Sequence, residues 1–303
     1  MTPLSTLLNE NNERIRKEWD LLNGTIPEHL YHYTDINALS SIVEKNLFWA
    51  THIKFLNDKK ELVHAYEVSK NVIDKLLLQY SKNNDIQSFL NDFWEFLNEL
   101  DMDLYIISLS EEADLLSQWR GYGKKYKSVC IGLNTSLIES QSDAKPSCMK
   151  FFQKVIYEFD QQYLLIESYI GGLCKILSGF PKSIWPSDSC KVQATGFLNL
   201  LSRFKHDSWS EEKEWRLVVL PEIYDENLKI VQFINPKFRS GEMSLIPYLE
   251  CDVFEGKPGI SEVILPQSPV FSGAKKAVEM LFKQKYPAIS QSFVRQSRIP
   301  IVY

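Results

Sequence analysis

The N-terminal part of the chain alternates between helical and strand patterning of its apolar positions. Residues 4–22 carry apolar side chains at helical spacing with charges between them, which predicts an amphipathic helix within a segment 1–27. Residues 30–34 alternate and contain aromatic side chains, as is typical of a strand. Apolar residues over 36–43 recur at helical spacing, and the bulky residues 47–51 predict a second strand.

The first predicted strand places a histidine among aromatic residues. Because side chains alternate along a strand, His32 is expected on one face and Tyr31 and Tyr33 on the other. A helix begins directly afterwards, and Asp35 or Thr34 can cap it by accepting a hydrogen bond from an unpaired backbone N–H. We interpret this imidazole as part of a ligand site shared with a glutamate much later in the chain.

The remaining patterning predicts an α+β fold. One long helix, capped by Asn57 or Asp58, is expected to end near Tyr80. Further helices are expected over about 86–99, 115–123, 160–178, 191–205 and 273–284. Strands are expected at about 104–110, 128–133, 152–157, 215–220, 229–234, 248–253 and 261–265, with a last strand ending at Tyr303. Strands and helices mix without strict alternation, which favours α+β over a doubly wound sheet. We expect one domain over 28–303, with a helical lobe inserted at about 158–207.

Composition narrows the class of protein. The chain of 303 residues is 44% hydrophobic and 24% charged, as is typical of a globular protein. Its 34 basic and 39 acidic side chains give a net charge of −5, which argues against a basic coat that holds duplex DNA. The five cysteines form no Cys-x-x-Cys pair, so no zinc ribbon is indicated. No signal peptide or membrane-length apolar run is visible, so we expect a cytoplasmic protein without a membrane partner.

An ordered series of short motifs carries a resemblance to a known family. The motifs are His32-Tyr33-Thr34, Phe55-x-Asn57-Asp58, Ser108-Leu109-Ser110, Trp119-x-x-Tyr122-Gly123, Val129-Cys130-Ile131-Gly132, Glu212-Lys213-Glu214-Trp215-Arg216 and Ile260-Ser261-Glu262-Val263-Ile264-Leu265. The series resembles a widespread bacterial family called domain of unknown function 2971, over roughly residues 28–300. Two positions depart from it: Lys59 stands where the family usually has Pro, and Leu265-Pro266 stands where it usually has Gly-Pro after the strand.

The opening strand, helix and strand also resemble the first NAD-binding element of the ADP-ribosyltransferase superfamily. Members of its His-Tyr-Glu branch carry a His on the first strand and a Glu on a late strand, which match His32 and Glu214. The middle position matches Ser108, Ser110 or Tyr122. The resemblance implies a split, mixed or antiparallel sheet that grips NAD without a metal, with surrounding helices. It implies catalytic roles for Glu214 and His32.

The chemistry of NAD cleavage suits these residue types. Breaking the nicotinamide–ribose bond develops positive charge on the ribose, which a carboxylate such as Glu214 can stabilise. A neutral imidazole can hold a ribose hydroxyl, aromatic rings can stack on the bases, and guanidinium groups can meet the pyrophosphate. No Gly-x-Gly-x-x-Gly follows a strand, so a Rossmann site is not indicated. The residues expected to contact NAD are His32, Tyr33, Thr34, Ser108, Ser110, Trp119, Arg120, Tyr122 and Arg216.

Structural roles compete with these assignments. Glu214 can pair with Arg216 two residues further along the same strand face, and Trp119 is more typical of a core aromatic. Ser108 and Ser110 are also typical of residues that end a strand, and Asn57-Asp58 is interpreted as a helix cap.

The function expected first is an NAD-consuming enzyme that transfers ADP-ribose to an unknown protein or nucleic acid, or to water, in a toxin, defence or housekeeping role. A second hypothesis is a metal-dependent nuclease, suggested by Glu211-x-Lys213 before a strand. A third is a non-enzymatic module that binds a nucleotide or a protein in the same cleft. Convergence of His32 and Glu214 on one crevice is the spatial requirement of the first hypothesis.

Overall fold

The structure, a computed structural model, describes residues 2–56, 61–99, 103–122, 127–139, 149–186, 189–224, 230–241, 244–287 and 293–300. Residues named in the sequence-based predictions that lie outside these ranges include Asn57, Asp58, Lys59, Gly123 and Tyr303. The chain folds into two compact units. A helical unit is formed by residues 1–24, 56–102 and 154–210, and a sheet unit by residues 25–55, 103–153 and 211–303.

The described part of the chain contains the following regular elements. The α-helices are α1 (Pro3–Asn23), α2 (Ile36–Lys45), α3 (Glu61–Gln79), α4 (Asn84–Glu99), α5 (Leu116–Tyr122), α6 (Ser136–Glu139), α7 (Phe159–Ile166), α8 (Gly172–Leu177), α9 (Ser189–Leu201) and α10 (Phe271–Lys285). The strands are β1 (His29–Asp35), β2 (Phe48–His52), β3 (Tyr105–Ser110), β4 (Ser128–Asn134), β5 (Met149–Lys154), β6 (Glu214–Leu220), β7 (Glu222–Tyr224), β8 (Ile230–Phe233), β9 (Lys237–Ser240), β10 (Leu245–Cys251), β11 (Ile260–Leu265) and β12 (Val294–Gln296).

The helical unit contains α1, α3, α4 and α7–α9. Helix α4 packs against α9, and the rings of Phe93 and Phe197 meet there with centroids 5.6 Å apart. A π-helical stretch, Glu167–Gly171, joins α7 to α8, so the single helix predicted over 160–178 is three helical pieces. This unit contains the predicted lobe at 158–207 together with residues 1–24 and 56–102.

The sheet unit is built on a ten-stranded mixed sheet, which confirms the predicted α+β class. The main path runs β12-β11-β4-β1-β3-β2-β10-β9, with β6 and then β5 branching from β3. Strands β11 and β12 are parallel, whereas β1 is antiparallel to both β3 and β4. A separate two-stranded sheet is formed by β7 and β8.

Strand β3 has three neighbours, which opens a fork in the sheet. All six of its residues pair with β6. On its other side, Ser110 pairs with Tyr31 of β1, whereas Tyr105 and Ile106 pair with β2. Strands β1 and β2 therefore separate beside Ser108, and we call this gap the fork.

Local sequence explains how β1 leads into α2. The Asp35 side chain accepts hydrogen bonds of 2.9 Å from the backbone N–H groups of Asn37 and Ala38, so it caps the helix as predicted. Asn46 ends the helix with φ of 57°, a left-handed conformation that asparagine tolerates. The predicted strand–helix–strand segment is confirmed, and most of its boundaries agree with the structure to within one residue.

One face of the sheet packs against α2 and α10. Both helices and eight strands contribute to the core there, including Leu30, Leu39, Val43, Phe48, Leu109, Ile131, Trp215, Leu249, Val263 and Phe282. The predicted strands differ from the structure in some details. Strand β5 begins three residues before the predicted 152–157, and β7 and β9 were not predicted. The last described strand is Val294–Gln296, and the predicted end of a strand at Tyr303 lies outside the described residues. Within the part of the chain that the structure describes, every helix is too short or too polar to cross a bilayer.

Candidate functional site

The candidate site lies on the face of the sheet opposite the α2 and α10 core. Tyr31 pairs with Ser110, and Ser110 pairs with Glu214, so these three side chains form a row across β1, β3 and β6. Two residues along the strands, Ser108 pairs with Arg216 on the same face. The registers thus bring polar residues from positions about 80 and 180 residues apart into one patch.

These rows form the floor of a narrow crevice, which we call the Glu214 crevice. The enclosed space is about 10 Å³, room for about one water molecule, and the empty volume of about 250 Å³ includes open solvent at its mouth. The lining residues are Tyr31, Tyr33, Ser108, Leu109, Ser110, Gln118, Tyr122, Glu212 and Glu214. Five of the predicted site residues, Tyr33, Ser108, Ser110, Tyr122 and Glu214, therefore meet in one place.

A buried ion pair fixes the carboxylate of Glu214. Nε of Arg216 donates to Oε1 at 2.9 Å, and a terminal nitrogen donates to Oε2 at 3.0 Å. The Arg216 side chain is 0% exposed and that of Glu214 is 5% exposed. The guanidinium fork matches the carboxylate through both oxygens, so the carboxylate cannot rotate without breaking two charge-assisted hydrogen bonds. The sequence-based alternative that pairs Glu214 with Arg216 is confirmed.

The turn before β6 brings a second carboxylate to the crevice. Lys213 has φ of 44°, an uncommon left-handed conformation for lysine, and its ammonium forms an ion pair with Glu112. The hydroxyl of Ser110 donates to the carbonyl oxygen of Glu212 at 2.7 Å and accepts from the backbone N–H of Glu112 at 3.0 Å. These bonds hold Glu212 and Glu214 as two buried residues on either side of the turn. Ser110 therefore has a positioning role.

The hydroxyl of Tyr33 is committed to the loop before α5. It donates to the carbonyl oxygen of Glu112 at 2.7 Å and accepts from the backbone N–H of Leu115 at 2.9 Å. Burial, with a contribution from the nearby thiol of Cys130, raises the pKa of Tyr33 well above its ordinary value. The ring contacts Trp119 edge-on, with centroids 5.5 Å apart. Tyr33 therefore supplies a wall of the crevice and holds the loop, with its hydroxyl already bonded.

Tyr31 is tied to a second polar cluster. Burial and hydrogen bonding to the carboxylate of Glu262 raise its pKa to about 12. Nε of Arg295 donates to the same carboxylate at 2.7 Å. Gly132 lies beneath, where a Cβ atom would be 2.7 Å from Cγ of Glu262 and 3.2 Å from the Tyr31 ring. The absence of a side chain at position 132 therefore allows Tyr31 to lie flat at the edge of the crevice.

The predicted convergence of His32 with Glu214 is wrong. Adjacent strand residues face opposite sides, so His32 is directed away from Tyr31, whose row contains Glu214. The His32 ring contacts the core residue Phe48 edge-on at 5.7 Å, and its Nδ1 donates to the Ser108 carbonyl oxygen at 3.0 Å. Burial is the main cause of a lowered His32 pKa. The neutral imidazole thus satisfies a carbonyl at the fork.

Four other predicted NAD contacts also fall outside the crevice lining. Thr34 shares the strand face of His32. Trp119 is fully buried and its Nε1–H donates to Asp114 at 2.7 Å, so the core interpretation of this residue is confirmed. Arg120 follows it on α5 and is exposed. Arg216 lies under the crevice and acts on it through Glu214.

Sequence reasoning missed four lining residues, Tyr31, Leu109, Gln118 and Glu212. Tyr31 and Gln118 had a positional signal. Tyr31 lies two residues before Tyr33, at the spacing that keeps strand side chains on one face. Glu212 precedes the strand and reaches the crevice across the turn at Lys213, so alternation could not place it. Gln118 lies four residues before Tyr122 on α5, so the two share a helix face.

The nuclease hypothesis requires a group of side chains that can bind a metal ion. Among the residues that the structure describes, no three His, Cys, Asp or Glu side chains group as ligands for a metal ion. Glu211, on which that hypothesis depends, is exposed next to the buried Glu212. The nuclease hypothesis therefore gains no supporting geometry.

Residues 118–217 match the sequence model of a family described as Protein of unknown function (DUF2971). This segment resembles that family. The match covers about a third of the chain and runs from Gln118 in α5 to Leu217 in β6, so it includes Tyr122, Glu212 and Glu214. The wider resemblance over 28–300 and the remote resemblance to ADP-ribosyltransferases stay predictions. No curated protein and no solved structure matches the chain.

Proposed function

We propose that the Glu214 crevice binds the ribose-bearing nicotinamide end of NAD⁺. The observation that carries the proposal is the Glu214 carboxylate, held through both oxygens by Arg216 on the floor of a crevice walled by tyrosines. A carboxylate held in a fixed orientation can accept hydrogen bonds from hydroxyl groups, so it suits the ribose of a nucleotide that lies at the mouth of the crevice.

The charge and walls of the crevice suit the oxidised nicotinamide ring. Glu212 and Glu214 are both buried carboxyl residues there, and Tyr31 and Tyr122 present aromatic side chains. Aromatic faces and nearby negative charge attract a cationic ring. NAD⁺ carries a positive nicotinamide ring, whereas NADH does not, so the oxidised form should bind more tightly.

Bond cleavage is the enzymatic form of the proposal. As nicotinamide leaves, positive charge develops on the ribose, and the fixed Glu214 carboxylate would stabilise it without first reorganising. An acceptor, either water or a macromolecule, would then take the ADP-ribose. His32 would have no part in this step, because the sheet separates it from Glu214. Binding without cleavage is the second candidate, and the placement of His32 favours it.

The test measures NAD⁺ binding by calorimetry and nicotinamide release by chromatography on the full chain. Glu214→Gln removes the negative charge, and Ser108→Leu fills the crevice while leaving Glu214 and Arg216 in place. Glu211→Gln is the matched control, since Glu211 is an exposed glutamate three residues from Glu214. Circular dichroism and thermal melting establish that each variant is folded.

We expect wild type and Glu211→Gln to bind NAD⁺ equally. Both crevice variants should weaken binding at least about tenfold, since a hydrogen bond to a charged group contributes about 1.5–3 kcal/mol. Nicotinamide released by wild type and lost in Glu214→Gln identifies an enzyme, and binding without release identifies a module. Folded crevice variants that bind NAD⁺ as wild type does would overturn the proposal, as would a wild type that binds none.

A further inference from the structure

The side-chain amide of Gln118 opens on the Glu214 crevice. The residue as a whole is 6% exposed and lines the crevice, and its amide atoms are not among the fully buried polar atoms that lack a partner. Across the described residues, no hydrogen bond reaches this side chain. Its neighbour on the helix, Trp119, is by contrast bonded to Asp114.

A second buried glutamine shows what a paired amide looks like in this chain. Gln162 is fully buried, and its Nε2 donates to the carbonyl oxygens of Ile156 and Lys205 at 2.7 and 2.9 Å. Its Oε1 lies 2.8 Å from Nε2 of His64. Buried amides are normally satisfied in this way, because an unpaired buried polar group costs about 1–3 kcal/mol. The amide of Gln118 differs from that of Gln162 because it faces the crevice, where water or a ligand can supply its partner.

The position of Gln118 is fixed by its surroundings. It lies on the same face of α5 as Tyr122, which also lines the crevice. The next residue, Trp119, anchors the helix through its bond to Asp114 and its ring contact with Tyr33. The amide is therefore held at the crevice wall, and its partner must come from whatever occupies the crevice.

We propose that Gln118 determines ligand specificity by forming hydrogen bonds with a donor and an acceptor that lie side by side on the bound ring. An amide carries both kinds of group at its end, so it pairs with the carboxamide of nicotinamide or with the amino edge of adenine. A carboxylate in place of the carboxamide offers acceptors alone and also meets the charge of Glu212 and Glu214. This inference rests on the proposed function and names the part of the nucleotide that is recognised.

The experiment compares Gln118→Leu with wild type by calorimetry. Leucine keeps approximately the size of glutamine and removes the amide. Three probes are titrated: NAD⁺, its analogue with nicotinic acid in place of nicotinamide, and ADP-ribose, which has adenine and lacks nicotinamide. Gln79→Leu is the control, because Gln79 is an exposed helical glutamine. Thermal melting without ligand is recorded for every variant.

Gln118→Leu should bind NAD⁺ about tenfold more weakly than wild type, since one hydrogen bond contributes about 1 kcal/mol or more. It should also lose preference for NAD⁺ over the nicotinic acid analogue. Unchanged ADP-ribose affinity assigns the contact to nicotinamide, and a parallel tenfold loss assigns it to adenine. Without ligand, Gln118→Leu should melt close to wild type, because the amide that is removed faces water in the crevice and has no partner within the described protein.

Two results would overturn the inference. One is NAD⁺ affinity in Gln118→Leu equal to wild type while Ser108→Leu still weakens binding, which leaves the proposed function intact. The other is a lower melting temperature of Gln118→Leu, since the amide would then have a partner within the protein. If wild type binds none of the three probes, the proposed function itself fails and the inference fails with it.

Discussion

Removal of the guanidinium of Arg216 should be among the most destabilising single changes in the sheet unit. Arg216→Met keeps most of the apolar stem and deletes the group that holds Glu214. The Arg216 side chain is 0% exposed, so no water is at hand to replace it, and the Glu214 side chain is only 5% exposed. The variant would therefore leave a buried carboxylate without its countercharge.

The magnitude follows from this burial. Breaking one partner out of a buried ion pair typically costs about 3–5 kcal/mol, whereas natural domains have about 5–15 kcal/mol of total stability. Replacing both partners together removes the uncompensated charge, so Glu214→Leu with Arg216→Met should lose much less than the sum of the single changes. Lys237→Met is the control, because Lys237 pairs with Glu250 at the surface, where such pairs contribute at most about 1 kcal/mol.

The assay is urea unfolding followed by circular dichroism and tryptophan fluorescence at pH 7.5. The reasoning would be refuted if Arg216→Met stayed within about 1 kcal/mol of wild type. It would also be refuted if the double variant lost the full sum of the single changes, because the two side chains would then be energetically independent.

Two further predictions concern residues that lie outside the crevice lining. The pKa of His32 is lowered by burial, and the positive charge of Arg239 adds to this effect against the opposing bond to the Ser108 carbonyl. The unfolded imidazole, with a pKa of about 6.5, then takes up a proton that the folded state resists, so stability should fall as pH drops from 7 to 5. His32→Gln should make that decline shallower, as measured by urea unfolding at three pH values, and an unchanged slope would contradict the assignment. Trp119→Phe should lose about 1–3 kcal/mol of stability, because the bond to Asp114 and part of the buried volume are removed. It should still bind NAD⁺ as wild type does. A folded variant with weakened NAD⁺ binding would show instead that the indole contacts the ligand.

Periodicity and capping chemistry were sufficient to predict most elements of the fold. Asp35 and Asn46 mark the ends of α2 as their side chains suggested, and alternation placed His32 and Tyr33 on opposite strand faces. These are local properties, set within a few residues of the chain. The short edge strand β9 was missed because its four residues, next to a proline and a glycine, alternate too briefly to stand out.

The part of the site that could not be predicted depends on register between distant strands. Alternation gives the two faces of each strand, but it does not say which face of β1 shares a side with Glu214. That relation is fixed only by the pairing of Tyr31 with Ser110 and of Ser110 with Glu214. A shift of one residue in either pairing would have placed His32 and Glu214 on the same face of the sheet. The same limitation hid Gln118, which reaches the crevice from a helix.

The fork at β3 also has a consequence for how the molecule is made. Its pairings join residues 79 and 104 positions apart, from Tyr31 to Ser110 and from Ser110 to Glu214. Such distant pairings require large loops to close first, which slows folding. During synthesis β3 must wait for more than a hundred further residues before β6 can join it. In pulse-labelling hydrogen exchange, amides of β3 and β6 should therefore gain protection together and late, which makes the crevice one of the last features of the chain to form.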